Sequence, residues 1–142
     1  MFIISDGASI TWYEPPPVET IADTAVIRTV DRNLTVGFMR ELTWNFSLSA
    51  GSSIITVTVE YKSSTTVATY LQPTQTVTVP EGLRDRFNLT WIPSKATLIM
   101  FNVTSDDNEE FTCAVLSVDG SGPSTWKRKI QVTVLGKLGN NQ

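Results

Sequence analysis

Short runs in which apolar and polar residues alternate make up most of the chain. Alternation with a period of two is typical of a strand that is buried on one face. Stretches rich in Gly, Pro, Ser and Asp separate the runs and favour turns, and no stretch has a convincing helical period. The spacing predicts an all-β fold in which two antiparallel sheets pack as a sandwich. The predicted strands cover residues 24–30, 40–48, 53–61, 66–71, 76–79, 86–92, 96–103, 110–118 and 127–135.

The two ends of the chain differ from this pattern. Residues 1–21 hold one alternating stretch, "ASITWYE", and then three prolines, which would end a ladder. We predict that residues 1–21 are a leader or an extra edge strand outside the core. Residues 22–136 are predicted to form one domain and residues 137–142 a linker or tail. A chain of 142 residues is long enough to bury a core without cross-links.

Four asparagines bear on where the protein works. Asn33, Asn45, Asn88 and Asn102 each stand in an Asn-x-Ser/Thr sequon, the acceptor motif for N-linked glycans. Because Ser and Thr supply 33 of the 142 residues, the seven asparagines would give about 1.6 sequons by composition alone. The excess favours a secreted or cell-surface protein. A threonine-rich β-protein that collects sequons by composition is the alternative.

The N-terminal residues do not decide whether the protein is cytosolic or extracellular. "MFII" is too short for the apolar region of a signal peptide, and no apolar run reaches the length of a membrane span. The chain is therefore either cytosolic or an ectodomain fragment with an added start methionine. With the sequons, we expect an extracellular fragment of a type I membrane protein, which contacts a membrane only through downstream segments.

Charge and residue types argue against several classes of function. The formal net charge is -3 and the one basic run is "WKRK", so nucleic-acid binding is disfavoured. The chain has no histidine, which removes the common general base and the Ser–His pair. We therefore expect no enzyme and no cofactor. A carbohydrate-binding sandwich is a further possibility, but clustered exposed aromatic residues are missing.

The lone cysteine and one acidic run each have two interpretations. Cys113 is interpreted as a buried, inert thiol, and a thiol that pairs with a second chain is the alternative. The run "DDNEE" at 106–110 offers oxygen ligands of the kind that calcium uses, without the spacing of a calcium loop. We prefer a solvated acidic turn and predict no metal site.

Several short motifs resemble those of immunoglobulin V-set domains. Asp107-x-Glu109-x-Phe111-x-Cys113 is similar to the D-x-G-x-Y-x-C signature of strand F. Arg86 resembles the arginine at the start of strand D, and the resemblance implies that it pairs with Asp107. Leu98, Met100 and Val103 stand where the family has the apolar residues of strand E. Gly37 matches the glycine before strand B, and the run "KIQVTVL" resembles strand G.

Taken together, residues 22–136 resemble a V-set domain that includes C' and C'' segments. The phrases "LTWNFSLS" and "RDRFNLTWIPSKATLIMFNVTSDDNEEFTC" resemble immunoglobulin-like ectodomains of cnidarians, a group that includes the receptors of hydroid allorecognition.

The chain departs from the family at its centre. Trp44 stands where the first cysteine would be, so the B–F disulfide is missing. Val59, or Val57 under a shifted register, replaces the core tryptophan of strand C. We hypothesise that Trp44 crosses the sandwich and packs over the Cys113 thiol. Phe111 replaces the corner tyrosine, so that tyrosine's backbone hydrogen bond cannot form, although the ring should still anchor the turn. The predicted core includes Trp44, Cys113, Val59, Phe111, Leu98 and Met100.

Strand alternation predicts one outward face on strands C, F and G. Ala114 and Leu116 would give this face a small apolar centre with a polar rim, as protein interfaces have. Two exposed apolar residues are also ordinary surface. By this register all four sequons lie on strands A–B, D and E, so the face is free of glycans. The predicted interface comprises Thr56, Thr58, Glu60, Thr112, Ala114, Leu116, Lys129 and Gln131.

The resemblance implies an extracellular recognition or adhesion domain of a cell-surface receptor. It suggests homophilic, allorecognition-type binding to the same protein on an apposed cell through the G-F-C-C' sheet. The alternative is an immune-type receptor or a secreted module that binds a heterologous protein or a glycan.

Overall fold

The structure, a computed structural model, describes residues 10–14, 17–21, 26–29, 32–62, 65–120 and 122–135. Within these ranges, two 3₁₀ turns, Glu81–Leu83 and Ser105–Asp107, lie between strands. No helix in these ranges is long and apolar enough to cross a membrane. The strands of the described ranges, in chain order, are β1 (Ile10–Glu14), β2 (Pro17–Ile21), β3 (Val26–Thr29), β4 (Arg32–Thr35), β5 (Arg40–Leu48), β6 (Ser53–Tyr61), β7 (Thr65–Leu71), β8 (Thr76–Thr78), β9 (Phe87–Ile92), β10 (Lys95–Met100), β11 (Glu110–Asp119) and β12 (Gly122–Leu135).

Two sheets form the sandwich. The first sheet has the order β1-β5-β10-β9, and the second has the order β4-β12-β11-β6-β7-β8. Neighbouring strands are antiparallel except for β4 and β12, which are parallel. Strands β2 and β3 form a separate two-stranded ribbon. The two orders correspond to strands A-B-E-D and A'-G-F-C-C'-C'' of a V-set sandwich.

Strand β5 illustrates how alternation builds the core. Leu42, Trp44 and Phe46 are fully buried, and the residues between them are partly exposed. Strand β6 contributes Val57 and Val59 to the core by the same alternation. Each sheet thus turns one apolar face toward the other, which is the arrangement that a period of two predicts.

Most strand ends lie close to the predicted ones, and two differ for physical reasons. Strand β12 begins at Gly122 because its ladder with β11 continues to the pair Asp119–Gly122. Strand β10 ends at Met100 because Val103 exchanges backbone hydrogen bonds with the turn before β5, at Gly37 and Phe38. Residues 24, 25 and 30 of the first predicted strand lie outside the described residues.

Strand β1 forms one edge of the first sheet. It pairs with β5 in a register that places Ile10 opposite Leu48 and Trp12 opposite Phe46. The sequence predicts that residues 1–21 are a leader or an extra edge strand outside the core. Strand β1 is an edge strand, but its Ile10 and Trp12 pack against the core. The centres of the Trp12 and Phe46 rings are 5.2 Å apart. Residues 1–9 and the predicted tail at 137–142 are not among the described residues.

Candidate recognition surface

Trp44 connects the two sheets. Its indole N–H donates a hydrogen bond to the carbonyl oxygen of Arg128 on β12, with 3.2 Å between nitrogen and oxygen. Arg128 is the register partner of Cys113 on β11, and both Trp44 and Cys113 are fully buried. The indole therefore crosses the core to the strand pair that carries the thiol. Direct packing of the ring on the thiol stays a prediction.

Burial explains why Cys113 is chemically quiet. Desolvation raises the pKa of its thiol well above the ordinary value of 9.0. A thiol that keeps its proton at neutral pH is a poor nucleophile and a poor partner for exchange. The other predicted core residues are also buried: Val59, Phe111, Leu98 and Met100. Val57 is buried as well, so both valines considered as replacements for the strand C tryptophan lie in the core.

Arg128 is a buried residue missing from the sequence-based core prediction. Its guanidinium carbon lies 5.4 Å from the centre of the Trp12 ring, within the range of a cation–π contact. Burial lowers the pKa of the guanidinium to about 10. The alternation of β12 could have predicted this burial. Arg128 stands two residues before Ile130 and four before Val132, so it faces the same side of the strand as these inward residues.

A buried carboxylate holds the turn from β10 to β11. Asp107 is 1% exposed, forms an ion pair with Arg86 and accepts a hydrogen bond from the backbone N–H of Thr104 at 2.9 Å. The Thr104 hydroxyl accepts from the backbone N–H of Asp106, which completes a capping box. The Arg86 guanidinium also lies 4.9 Å from the centre of the Phe87 ring. The structure thus brings together the Arg86–Asp107 pair that the resemblance implies.

This pairing changes the picture of the acidic run at 106–110. Asp106 is exposed, as a solvated turn requires, but Asp107 is buried and engaged. No group of three or more His, Cys, Asp or Glu in the described ranges could hold a metal ion.

Tyr61 supplies a hydroxyl to the same turn. It lies opposite Phe111 in the β6–β11 ladder, with ring centres 5.3 Å apart. Its hydroxyl donates a hydrogen bond to the carbonyl oxygen of Asp106 at 2.5 Å. Burial, together with the charge of Asp107, raises the pKa of Tyr61 above 10.0. Phe111 cannot make the bond of a corner tyrosine, and a tyrosine on the neighbouring strand bonds the turn instead.

The outward side chains of β6, β7, β11 and β12 form one continuous surface, which we name the Leu116 face. Leu116 lies opposite Thr56 on β6 and Thr125 on β12. Thr56 in turn lies opposite Leu71 on β7, which is 37% exposed. Side chains directly opposite each other in an antiparallel pair point to the same side of the sheet. This row is therefore apolar or hydroxylated across all four strands.

The next row of the Leu116 face continues this chemistry. Ala114 lies opposite Thr58 on β6 and Lys127 on β12, and Thr58 lies opposite Thr69 on β7. All four side chains are partly exposed. The centre of the face is thus uncharged, and Lys127 marks its margin on β12.

Charged side chains occupy one end of the Leu116 face. Lys129 Nζ lies 3.2 Å from Glu110 Oε1, and Glu60 and Gln131 are partly exposed beside this pair. Thr112 lies between Glu60 and Lys129 in the register, but only 3% of its surface is exposed. With so little exposed surface, Thr112 is unable to act as the contact residue that alternation predicts.

Two predicted glycan sites lie on the opposite side of the sandwich. Asn45 on β5 sits between the buried Trp44 and Phe46, and Asn88 on β9 sits between the buried Phe87 and Leu89. Both asparagines therefore point outward from the first sheet. Asn102 is exposed in the segment after β10.

Asn33 lies in the second sheet, unlike Asn45 and Asn88. It belongs to β4, which pairs with β12 at the edge of the second sheet, with Asn33 in register with Thr133. The strands that we expected to be free of sequons, C, C', F and G, do not include β4. Strands β12, β11, β6, β7 and β8 contain no sequon.

The turns at one end of the sandwich are short. Residues 49–52 connect β5 to β6 and residues 72–75 connect β7 to β8. Two positions separate β11 from β12. Short connections of this kind offer little surface for a partner, so the broad surfaces of this molecule are the outer faces of its sheets.

Comparisons with known proteins agree with this architecture. No family model matches the chain, and no curated protein sequence matches it. Among solved structures, the chain is similar to murine CRIg, with a TM-score of 0.67 and 13% sequence identity, over 92% of this chain and 99% of that one. The likeness shows the fold, which is an immunoglobulin-like V-set sandwich of two antiparallel sheets without the B–F disulfide.

Proposed function

We propose that this chain is an extracellular recognition domain of a cell-surface receptor, and that it binds homophilically, as allorecognition receptors do, through the Leu116 face. The observation that carries the proposal is the contrast between the two outer surfaces. The Leu116 face has an uncharged centre of Leu116, Ala114, Leu71 and threonines on strands without sequons. The outer surface of the first sheet carries the sequons of Asn45 and Asn88.

A bulky glycan blocks docking where it is attached. The one sequon of the second sheet, Asn33, lies on the edge strand β4 and not on the strands of the Leu116 face. An apolar centre with a polar and charged rim is the anatomy of a protein interface. The likeness to murine CRIg supports the sandwich fold on which this face lies. The short turns between strands favour a flat sheet surface over loops as the site of contact.

Self-complementarity supports a second copy as the partner. In a two-fold contact each residue near the axis meets the same residue of the other copy, so a charge there repels itself. Leu116, Ala114 and Thr58 are uncharged at the centre of the face, and Lys127, Lys129 and Glu60 lie at its margins. This distribution permits two copies to meet without like charges at the axis.

Sedimentation velocity of the domain secreted from animal cells tests the proposal. We expect concentration-dependent dimers that Leu116→Arg weakens at least 30-fold, roughly 2 kcal/mol, because two buried like charges would face each other. Ile92→Arg is the matched control, since Ile92 is 65% exposed on the first sheet and should leave dimerisation unchanged.

A strict monomer at high concentration would contradict homophilic binding. In that case a heterologous protein or glycan would be the ligand, and its binding should still be lost with Leu116→Arg. If Ile92→Arg is the variant that disrupts association, the first sheet is the contact surface and the assignment of the Leu116 face is wrong.

A further inference from the structure

A recess of about 420 Å³ opens between the second sheet and the edge strand of the first. Residues around β8, residues of β9 and the segment after β10 line it, and only one lining residue is charged. Its volume is within the range of about 300–1,000 Å³ that ligand recesses have. The lining residues are Val77, Thr78, Val79, Arg84, Phe87, Asn88 and Phe101.

The wall of this recess includes a predicted glycan attachment point. Asn88 is exposed, and its side-chain carbonyl accepts a hydrogen bond from the backbone N–H of Leu89 at 2.9 Å. That bond fixes the amide group and leaves the amide nitrogen, the atom to which an N-linked glycan is joined, free of this contact. The amide nitrogen of Asn88 is thus available beside the recess.

The recess also exposes apolar side chains. Phe101 is 41% exposed and Val77 is 37% exposed. Asn88 on β9 lies opposite Ile99 on β10. The pairing continues past the end of β10, where the backbone N–H of Phe101 donates a hydrogen bond to the carbonyl oxygen of Arg86. Phe101 is therefore the diagonal neighbour of Asn88 on the same outer surface, which is within reach of an aromatic side chain.

We propose that the N-linked glycan on Asn88 folds back on the domain and seats its first sugars in this recess, against Phe101 and Val77. This inference rests on the extracellular location in the proposed function. The first sugars of such a glycan are neutral pyranose rings with an apolar C–H face and polar edges. The face packs on the Phe101 ring, and the edges meet the polar groups of Thr78 and Arg84.

Two further features favour an occupant that is covalently attached. A tether holds the sugars beside the recess at a high effective concentration, so weak contacts suffice. Strand β9 is an edge of the first sheet, and unpaired edges in soluble proteins are commonly covered. A glycan seated at Asn88 would cover this edge and the exposed phenylalanine together.

Thermal unfolding of the secreted domain, before and after complete enzymatic removal of its glycans, tests the proposal. We expect complete removal to lower the midpoint by about 2–4 °C in the wild type and to have no such effect in Asn88→Gln. Asn102→Gln, which removes a sequon one residue from Phe101, is the matched control and should respond like the wild type. Phe101→Ser should abolish the response while Asn88 remains glycosylated.

The proposal is overturned if peptide mass analysis finds Asn88 unmodified, or if Asn88→Gln and the wild type respond equally to glycan removal. It is also overturned if Phe101→Ser leaves the response intact. These outcomes are separate from the proposed function, because Asn88→Gln should leave dimerisation through the Leu116 face unchanged. Absence of glycans at all four sequons would instead contradict the extracellular location.

Discussion

The indole N–H of Trp44 reaches across the sandwich and donates a hydrogen bond to the carbonyl oxygen of Arg128, 3.2 Å away. A buried tryptophan needs a partner for its N–H, and here the strand opposite Cys113 supplies it. One side chain therefore fills space between the sheets and satisfies its own polar atom. This explains how a tryptophan is accommodated at the position where the V-set domains that the sequence resembles have a cysteine.

Replacement of Trp44 should be costly. We expect Trp44→Ala to lower the free energy of unfolding by about 3–5 kcal/mol, because it leaves a large cavity in the core. Trp44→Phe keeps most of the apolar area but leaves the Arg128 carbonyl without this donor, so we expect a loss of about 1–3 kcal/mol. Urea unfolding followed by circular dichroism measures both. Wild-type stability in Trp44→Ala would refute the role of the ring as the connection between the sheets.

The hydroxyl of Tyr61 should stabilise the turn before β11. Tyr61→Phe removes the donor to the Asp106 carbonyl and keeps the ring on Phe111, so we expect a loss of about 1 kcal/mol. Tyr13→Phe is the matched control, since the Tyr13 hydroxyl bonds Ser47 at an exposed site and its removal should change stability little. Equal effects of the two substitutions in chemical denaturation would contradict a special role for Tyr61.

The Arg86–Asp107 pair gives a prediction for the same turn. Asp107→Ala removes the buried carboxylate and leaves the Thr104 N–H without its acceptor, so we expect a loss of about 2–3 kcal/mol. Asp106→Ala keeps its backbone carbonyl for Tyr61 and removes an exposed side chain, and should cost less than about 0.5 kcal/mol. Similar unfolding midpoints for both variants in urea would show that the buried pair does not hold the turn.

Stability should fall at alkaline pH. Folding raises the pKa of Cys113 and Tyr61, so both groups keep their protons longer in the native state than in the unfolded chain. Their contribution is complete below the unfolded values of 9.0 and 10.0 and is lost as pH rises above them. We expect Cys113 alone to lower the free energy of unfolding by about 1.4 kcal/mol between pH 8 and pH 10.

Urea unfolding at pH 8, 9 and 10 measures this loss. Cys113→Ala should show a correspondingly smaller decrease over the same range, while the contributions of tyrosine and lysine residues remain in both proteins. Parallel pH curves for wild type and variant would mean that the thiol already ionises in the folded protein.

Alternation predicted most of the core because parity alone decides which side of a strand a residue faces. Trp44, Val59, Phe111 and Cys113 lie inside for this reason. The Tyr61–Asp106 bond joins a strand residue to a turn residue 45 positions away, and no local pattern reports which distant segments a fold brings together. The pairing of β4 with β12, which places Asn33 in the second sheet, is likewise a long-range contact.

For the Leu116 face, the sequence predicted the side of the sheet on which residues lie, but not their exposure. Parity placed Thr56, Thr58, Ala114 and Leu116 on one outer surface. It could not predict that Thr112 is buried, because parity gives the side of the sheet on which a residue lies and not its exposed fraction. Leu71 was missed because the predicted face included only strands C, F and G, and Leu71 lies opposite Thr56 on the next strand, β7.

A core joined by a packed ring makes assembly of this domain independent of oxidants. With one cysteine, the chain needs no thiol oxidase and no disulfide isomerase to form a bond within itself, and reducing agents have no such bond to cleave. We expect the fold to form equally well in a bacterial cytosol and in a secretory pathway. A difference in stability between protein from the bacterial cytosol and protein from the secretory pathway would then come from glycans or bound partners, and not from disulfide formation.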